Sequence, residues 1–453
     1  MAQTVAVEDL QIGMFIQLEG GWLSHPFPVS SFKLSTSQQI VSVRGLGLKQ
    51  VRWVPEQSDL QPPTEHISGS PVATGASGNG GARSVLAGDE AAGAAQADSA
   101  GFVSVVSVVS VVSELEAAAA RMRQRLEQER EAAQRCSRQH SEACKALREA
   151  LDDVAARPQQ AARVTQALTR AILDKMLSSP EQGIRIVGPG ADVEAAHAMN
   201  VSVIALLIGR SLGLPEQEML DVGVGALLHD VGKQAMEERH CHLDEAGTPA
   251  LLQAYRSHVV RGVRVAERMG LSAGAVTVIA QHHEFADGSG FPQALRLDKL
   301  SLASRIVAIV NRYDNLCNPQ SRALALTPHE AVATLFAQGR SRFDGAVLNT
   351  FIRLMGVYPA GSTVQLTDDR YALVVGANSS RPLKPRVLVY DPQVPRDEAL
   401  LMELDQMPDL GIRRSIPMHK VPKPALVYLD PSPRVSYFFE PLPCATPEVE
   451  LAA

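Results

Sequence analysis

Cysteine is scarce: five in 453 residues (Cys136, Cys144, Cys241, Cys317, Cys444), odd in number and without CxxC spacing. A disulfide framework is therefore excluded, and the thiols suit a reducing cytosol. Basic charge is not in excess either. Lys and Arg total 43 against 49 Asp and Glu, a net charge of -6, which leaves no global footprint for nucleic acid. Long apolar runs are missing as well. The greasiest patch, "VSVIALLIG", is about half the roughly 20 residues that span a bilayer. The start, "MAQTVAVEDL", lacks the basic region and apolar core of a signal peptide. A cytoplasmic chain with no nucleic-acid or membrane partner is expected.

The length allows about three domains. Residues 5–56 mix short β-like runs ("GMFIQL", "QVRWV") with a helical stretch, "STSQQIVSVRGLG", so 1–56 is expected to be a small α/β module. Residues 57–113 are expected to be a low-complexity linker. Over 57–101 Gly, Ala, Ser and Pro dominate and offer too little apolar surface to offset ordering entropy. The repeat "VSVVSVVSVVS" at 103–113 fits a β-prone segment or the first turns of a helix. Residues 114–157 predict a long helix. Its apolar spacing, interrupted at Glu129 and His140, allows a coiled coil and through it a homodimer. The pattern is helical throughout 164–355. It then turns to short β-type runs ("STVQLTD", "YALVVGAN", "PRVLVYDP") in a β-rich extension, 356–453. The expected fold is mainly α: a helical bundle with a small N-terminal α/β module and a small β-rich C-terminal tail.

Histidine is also rare, yet seven of the twelve fall between His197 and His283. His197 lies over Val201, Ile204 and Ile208. His229 shares a face with Val222, Gly225 and Ala226. His258 lies over Leu251 and Tyr255, and His282 and His283 follow the apolar "AGAVTVIAQ". Any one of these alone reads as a core histidine bonded to a carbonyl. Five inward histidines plus Asp230, from four successive helices, need a shared partner, because burying that much imidazole without one is costly. Metal inside a helical bundle supplies it. Imidazole-rich sites suit iron, manganese or zinc, with iron or manganese preferred here. Two ions bridged by Asp230 would explain the adjacent His282 and His283, one serving each ion. "HCHLDE", 240–245, reads as a connector, and Glu284 as either a partner to a ligand or a solvated side chain.

"LLHDVGK" resembles the signature of the HD phosphohydrolase superfamily, and with "HHEFADGSGFP" the resemblance narrows to the HD-GYP family over roughly 190–355. The opening "VEDLQIGMFI" is similar to a domain of unknown function that often precedes HD-GYP domains. The resemblance implies a cyclic di-GMP phosphodiesterase yielding pGpG and, after a second hydrolysis, GMP. It implies metal ligands at His197, His229, Asp230, His258, His282 and His283, catalytic roles for Asp230 and Lys233, and a phosphate contact from Lys233. Asp287, Gly288, Gly290, Phe291 and Pro292 would form the GYP loop, with Gly290, Phe291 and Pro292 against substrate. Phe291 would keep a ring for stacking on guanine. Diguanylate cyclases or other signalling proteins would be partners.

Three departures stand out. The loop reads GFP. Val193 occupies the place where some relatives recruit a third metal. Asn311 stands where the family places a ligating aspartate, and Arg322 is only approximately where the next arginine is expected. Asn311 is carried as a ligand through its amide oxygen. Its neutrality sustains the alternative of an impaired HD-GYP domain that senses cyclic di-GMP or docks a partner.

Overall fold

The computed structural model describes residues 3–18, 31–34, 37–44, 48–59, 105–179, 182–188, 192–237, 240–241, 248–377, 381 and 383–441. It divides into two compact units, 1–124 and 125–453.

In the first unit, β1 (Gln3–Ala6), β2 (Phe15–Gln17), β3 (Ser31–Lys33) and β4 (Gln50–Trp53) form an antiparallel sheet ordered β1-β4-β2-β3. Ile16 and Val51 point from the sheet into a core closed by Ile40 and Val43, three apart on α1 (Ser37–Arg44). Arg44 ties the helix end to the carbonyls of Val7 and Glu8.

Helix α2 (Val105–Asp153) begins inside the stretch expected to be linker, so "VSVVSVVSVVS" is helical from Val105 onward. Residues 60–104, with most of the expected linker, lie outside the described residues. In the second unit, α2 is followed by α3 (Pro158–Leu177), β5 (Gln182–Val187), α4 (Val193–Ser211) and α5 (Glu216–Leu228). Next come α6 (Pro249–Met269), α7 (Ala273–Gln281), α8 (Leu302–Cys317), α9 (Pro328–Arg342) and α10 (Gly345–Met355). The starts are spelled in the sequence. Asp192, Thr248, Ser272, Ser301, Thr327 and Asp344 each cap a helix N-terminus through the side chain, a device worth about 1 kcal/mol apiece.

By length and composition α4 could cross a bilayer, but 78% of it is buried inside the fold, where it carries His197. The apolar run was thus longer than "VSVIALLIG" alone suggested.

Strand β5 corrects the expectation of helix throughout 164–355. "QGIRIV" is extended because it pairs along its whole length with β11 (Ser436–Pro441), about 250 residues later. No local pattern contains that partner. The sheet is completed by β6 (Thr363–Leu366), β7 (Tyr371–Gly376), β8 (Arg386–Val389), β9 (Leu400–Glu403) and β10 (Ile412–Ser415). α11 (Lys423–Leu429) precedes β11. The C-terminal segment is therefore woven into the bundle and packs β11 against α4.

The two residues that interrupt the α2 pattern both face this sheet, Glu129 half-buried and His140 buried. Glu129 accepts from Arg185 of β5, 2.7 Å away, and from Arg386 of β8, while Arg185 also holds Glu440 of β11. His140 packs edge-on against Phe438. Cys136, Ala143, Leu147, Ala150 and Val154 are buried within the same unit. From Cys136 onward, the apolar seam expected to join two copies is covered by the chain's own β-sheet and helices.

Candidate metal centre

His197 sits in the first turns of α4. His229 caps the end of α5, where Asp230 turns the chain into a tight 3-10 turn, Val231–Ala235. His258 lies mid-α6, and His282 and His283 end α7. Leu251, expected beneath His258, is 40% exposed, so the buried face of α6 begins at Tyr255. The turn after Asp230 is pressed onto α6. A Cβ on Gly232 would lie 2.0 Å from the His258 carbonyl oxygen and 2.5 Å from the Gly262 nitrogen. Only glycine allows that approach, and it sets the depth at which Asp230 meets His258.

Three of the imidazoles are held alike. Nδ1 of His229, His258 and His282 lies 2.7, 2.6 and 2.8 Å from the carbonyl oxygens of Ala226, Tyr255 and Ile279, each three residues back. A carbonyl only accepts, so Nδ1 carries the proton and Nε2 presents a lone pair inward. His197 is oriented by a carboxylate: its Nδ1 is 2.6 Å from Asp314 Oδ2. The inward nitrogens then meet in two pairs, His197 with His229 and His258 with His282, both 3.2 Å apart. Burial pushes the His258 imidazole down to about 4, and those of His282 and His283 well below their ordinary value, so no proton joins the second pair at neutral pH.

Asp230 spans the pairs. Its Oδ2 is 3.4 Å from His229 Nε2 and 3.9 Å from His197 Nε2; its Oδ1 is 3.4 Å from His258 Nε2 and 3.9 Å from His282 Nε2. Lys233 donates to Oδ2 at 2.6 Å, whereas Oδ1 is buried with no hydrogen-bond partner. Burial works against the Asp230 charge, but Lys233, His229 and His258 hold its carboxyl well below the usual range. Burial likewise opposes the Lys233 charge, which Asp230 restores, and the net direction is upward. Facing lone pairs around an orphaned carboxylate oxygen repel one another unless a cation lies among them. The donor set forms two groups, Asp230 with His258, His282 and His283, and His197 with His229 and Asp230. It fits a divalent metal.

Several residues outside the expected set support these. Asp314, which the sequence places one turn after Asn311, orients His197 while accepting from Asn200 and Asn318 at 2.8 and 2.9 Å. Tyr255 places its hydroxyl 3.2 Å from His283 Nε2, and burial pushes that phenol up to about 12. Glu284 is neither solvated nor turned to a ligand. It is buried and accepts from the backbone N–H of Gln293 and Leu295 at 2.6 and 2.9 Å, clamping the glycine-rich loop. A Cβ on Gly290 would fall 2.4 Å from Glu284 Cα, so the loop passes where only glycine fits. Phe291 stacks on His283, with centroids 4.5 Å apart and planes 22° apart.

Two cavities open on the cluster. The larger, about 930 Å³, is walled by Lys233, Tyr255, His282, His283, Phe291 and Asn311 among others. The smaller, about 150 Å³, is walled by Glu194, His197, Asp230, Lys233, Asn318 and Arg434 among others. Asn311 is buried, and its Oδ1 already accepts from Asn315 Nδ2 at 2.7 Å, which leaves one lone pair for a cation. Gly290, Pro292 and Arg322 wall neither cavity; Gln320 stands in both. Cys241 is tied to the Lys233 and Glu237 carbonyls, and residues 242–245 of "HCHLDE" lie outside the described residues.

Residues 145–347 match the HD domain family, and residues 2–165 match a domain of unknown function, DUF3391. The chain is 27% identical over 396 residues to a cyclic di-GMP phosphodiesterase of Pseudomonas aeruginosa, covering 86% of this chain and 85% of that protein. It is 29% identical to a cyclic di-GMP phosphodiesterase response regulator of Xanthomonas campestris, over 35% of this chain and 43% of the relative. Among solved structures, a HDG"Y"P protein from Bdellovibrio bacteriovorus aligns over 78% of this chain and 98% of its own, with a TM-score of 0.38 and 11% identity. An HD domain implies divalent-metal binding, and the histidine and aspartate cluster offers the ligands for it. The chain thus carries an HD domain at 145–347 and a DUF3391 region at 2–165.

Proposed function

We propose that the chain hydrolyses cyclic di-GMP at a centre of two divalent ions, iron or manganese, bridged by Asp230. One observation carries this reading: two facing Nε2 pairs flank the two oxygens of a single half-buried carboxylate. His197 and His229 would hold one ion, and His258 and His282 the other. His283 belongs to the second group and Asn311 stands in the adjoining wall. When bound, such ions stabilise negative charge on a phosphoryl group and ease deprotonation of water.

The protein residues do the rest. Asp314 and the three carbonyls fix the ring tautomers. Lys233, beside Asp230 at the junction of both cavities, offers an ammonium to a phosphoryl oxygen. The larger cavity lies within the roughly 300–1,000 Å³ typical of small-molecule sites, and its wall carries Arg256, Arg312 and Arg342 for a ligand with two phosphates. Each diester consumes one water. The P–O3′ bond breaks, the 3′ oxygen leaves with a proton, and pGpG results; a second hydrolysis gives GMP. The reading places the chain in the cytoplasm, downstream of diguanylate cyclases.

Asn311 favours a second reading, a domain that binds cyclic di-GMP without turnover, because an amide brings no charge to the centre. Chromatography of cyclic di-GMP incubated with metal-loaded chain separates the two. The enzyme reading expects pGpG from the native chain and none from Asp230→Ala. Intact dinucleotide from the native chain leaves only the binding module.

A further inference from the structure

We propose that Arg434, carried in by the C-terminal extension, is a substrate-binding residue whose guanidinium takes a phosphoryl oxygen of the diester in the smaller cavity. The proposal deepens the phosphodiesterase reading and rests on it.

The first observation is an unused charge. The wall of the smaller cavity holds the carboxylates Glu194 and Asp230 and the cations Lys233 and Arg434. Glu194 is taken by Arg148 at 3.1 Å and Asp230 by Lys233 at 2.6 Å. The half-buried guanidinium of Arg434 has no hydrogen bond or ion pair among the described residues, although two carboxylates share its cavity. A guanidinium partly withdrawn from water with no anion of its own fits an anionic ligand, and its planar fork matches phosphate.

The second observation is how firmly its backbone is placed. Val435, the next residue, donates from N to Asn318 Oδ1 at 3.0 Å, and its carbonyl accepts from Asn318 and Asn200 at 2.8 and 3.0 Å. The same two amides donate to Asp314 Oδ1, and the other oxygen of Asp314 orients His197. Tyr437 N closes the frame onto Asn200 Oδ1 at 2.8 Å. The polar network that aims His197 therefore also fixes the chain that presents Arg434. At about 150 Å³ the cavity is smaller than sites that enclose drug-sized ligands, and it suits a phosphate better than a nucleoside.

The test uses full-length chain, Arg434→Gln and Arg434→Lys, with Arg413→Gln as an exposed charge control from the same extension. Metal content, kcat and KM for cyclic di-GMP, and affinity for inorganic phosphate by calorimetry are measured on each. Arg434→Gln is expected to keep its metal, raise KM by about tenfold or more and weaken phosphate by a similar factor, as loss of a hydrogen bond to a charged group implies. Arg434→Lys should recover part of both. Unchanged KM and phosphate affinity in Arg434→Gln would overturn the proposal, as would metal lost together with both, the mark of a structural role. Should native chain show no hydrolysis, the phosphodiesterase reading falls, and the phosphate affinities alone decide Arg434.

Discussion

Replacing Asp314 by asparagine removes one charge and keeps the shape, which makes it a sharp probe of how the centre is aimed. The carboxylate serves three donors: His197 Nδ1 at Oδ2, and Asn200 and Asn318 Nδ2 at Oδ1. An amide has one accepting end. If its oxygen faces His197, its NH₂ confronts two amide donors; if it turns over, the NH₂ confronts the imidazole N–H. Either way a buried donor loses its acceptor, at about 1–3 kcal/mol. With the oxygen toward Asn200 and Asn318, His197 also loses the partner that fixes its tautomer. Loss of such an outer partner typically weakens metal binding about 10–100-fold. Titration against a competing chelator should show that drop for the ion beside His197 and His229, while the ion beside His258 and His282 is held as before. Thermal melting of the metal-free chain should fall as well. Native metal affinity together with a native melting temperature would refute the role given to Asp314.

Three further outcomes are expected. Asn311→Asp restores a carboxylate that Asn315 can still donate to, and should improve metal retention and raise cyclic di-GMP turnover about tenfold, equivalent to roughly 1.4 kcal/mol of barrier; unchanged metal content and rate would show that the amide already serves. Gly232→Ala puts a methyl 2.0 Å from a backbone oxygen and should destabilise by about 1–3 kcal/mol with loss of metal, read by denaturant unfolding and elemental analysis. Burial holds His140 at about 4 against its ordinary 6.5, so the unfolded chain takes up the proton first as pH falls. Its contribution is whole above about 6.5 and is lost towards pH 4, about 3 kcal/mol at most. Denaturant midpoints between pH 7 and 4 should fall less steeply in His140→Gln, and an identical slope would exclude the effect.

The histidine and aspartate cluster was legible because its signals are local: inward histidines on apolar helix faces, and an aspartate beside one of them. What escaped depends on distant chain. β5 is a strand only because β11 returns to it, and Glu129 broke a heptad pattern because its partners lie on β5 and β8. Asp314 could be seen in sequence, but its task required knowing that α8 packs against α4. Arg434 carries no motif, since its place is set by two asparagines more than a hundred residues away. Glu284 looked like a candidate for the metal's surroundings by adjacency to His283; its side chain instead satisfies loop N–H groups that no spacing rule connects to it.

The central claim is that Asp230 joins two ions through its two oxygens. Elemental analysis of chain purified without oxygen, run beside Asp230→Asn, tests it most directly. The account predicts two iron or manganese ions per native chain, and at most one in the variant, whose amide offers a single oxygen. One ion or none in the native chain, or two retained without the Asp230 carboxylate, would contradict it.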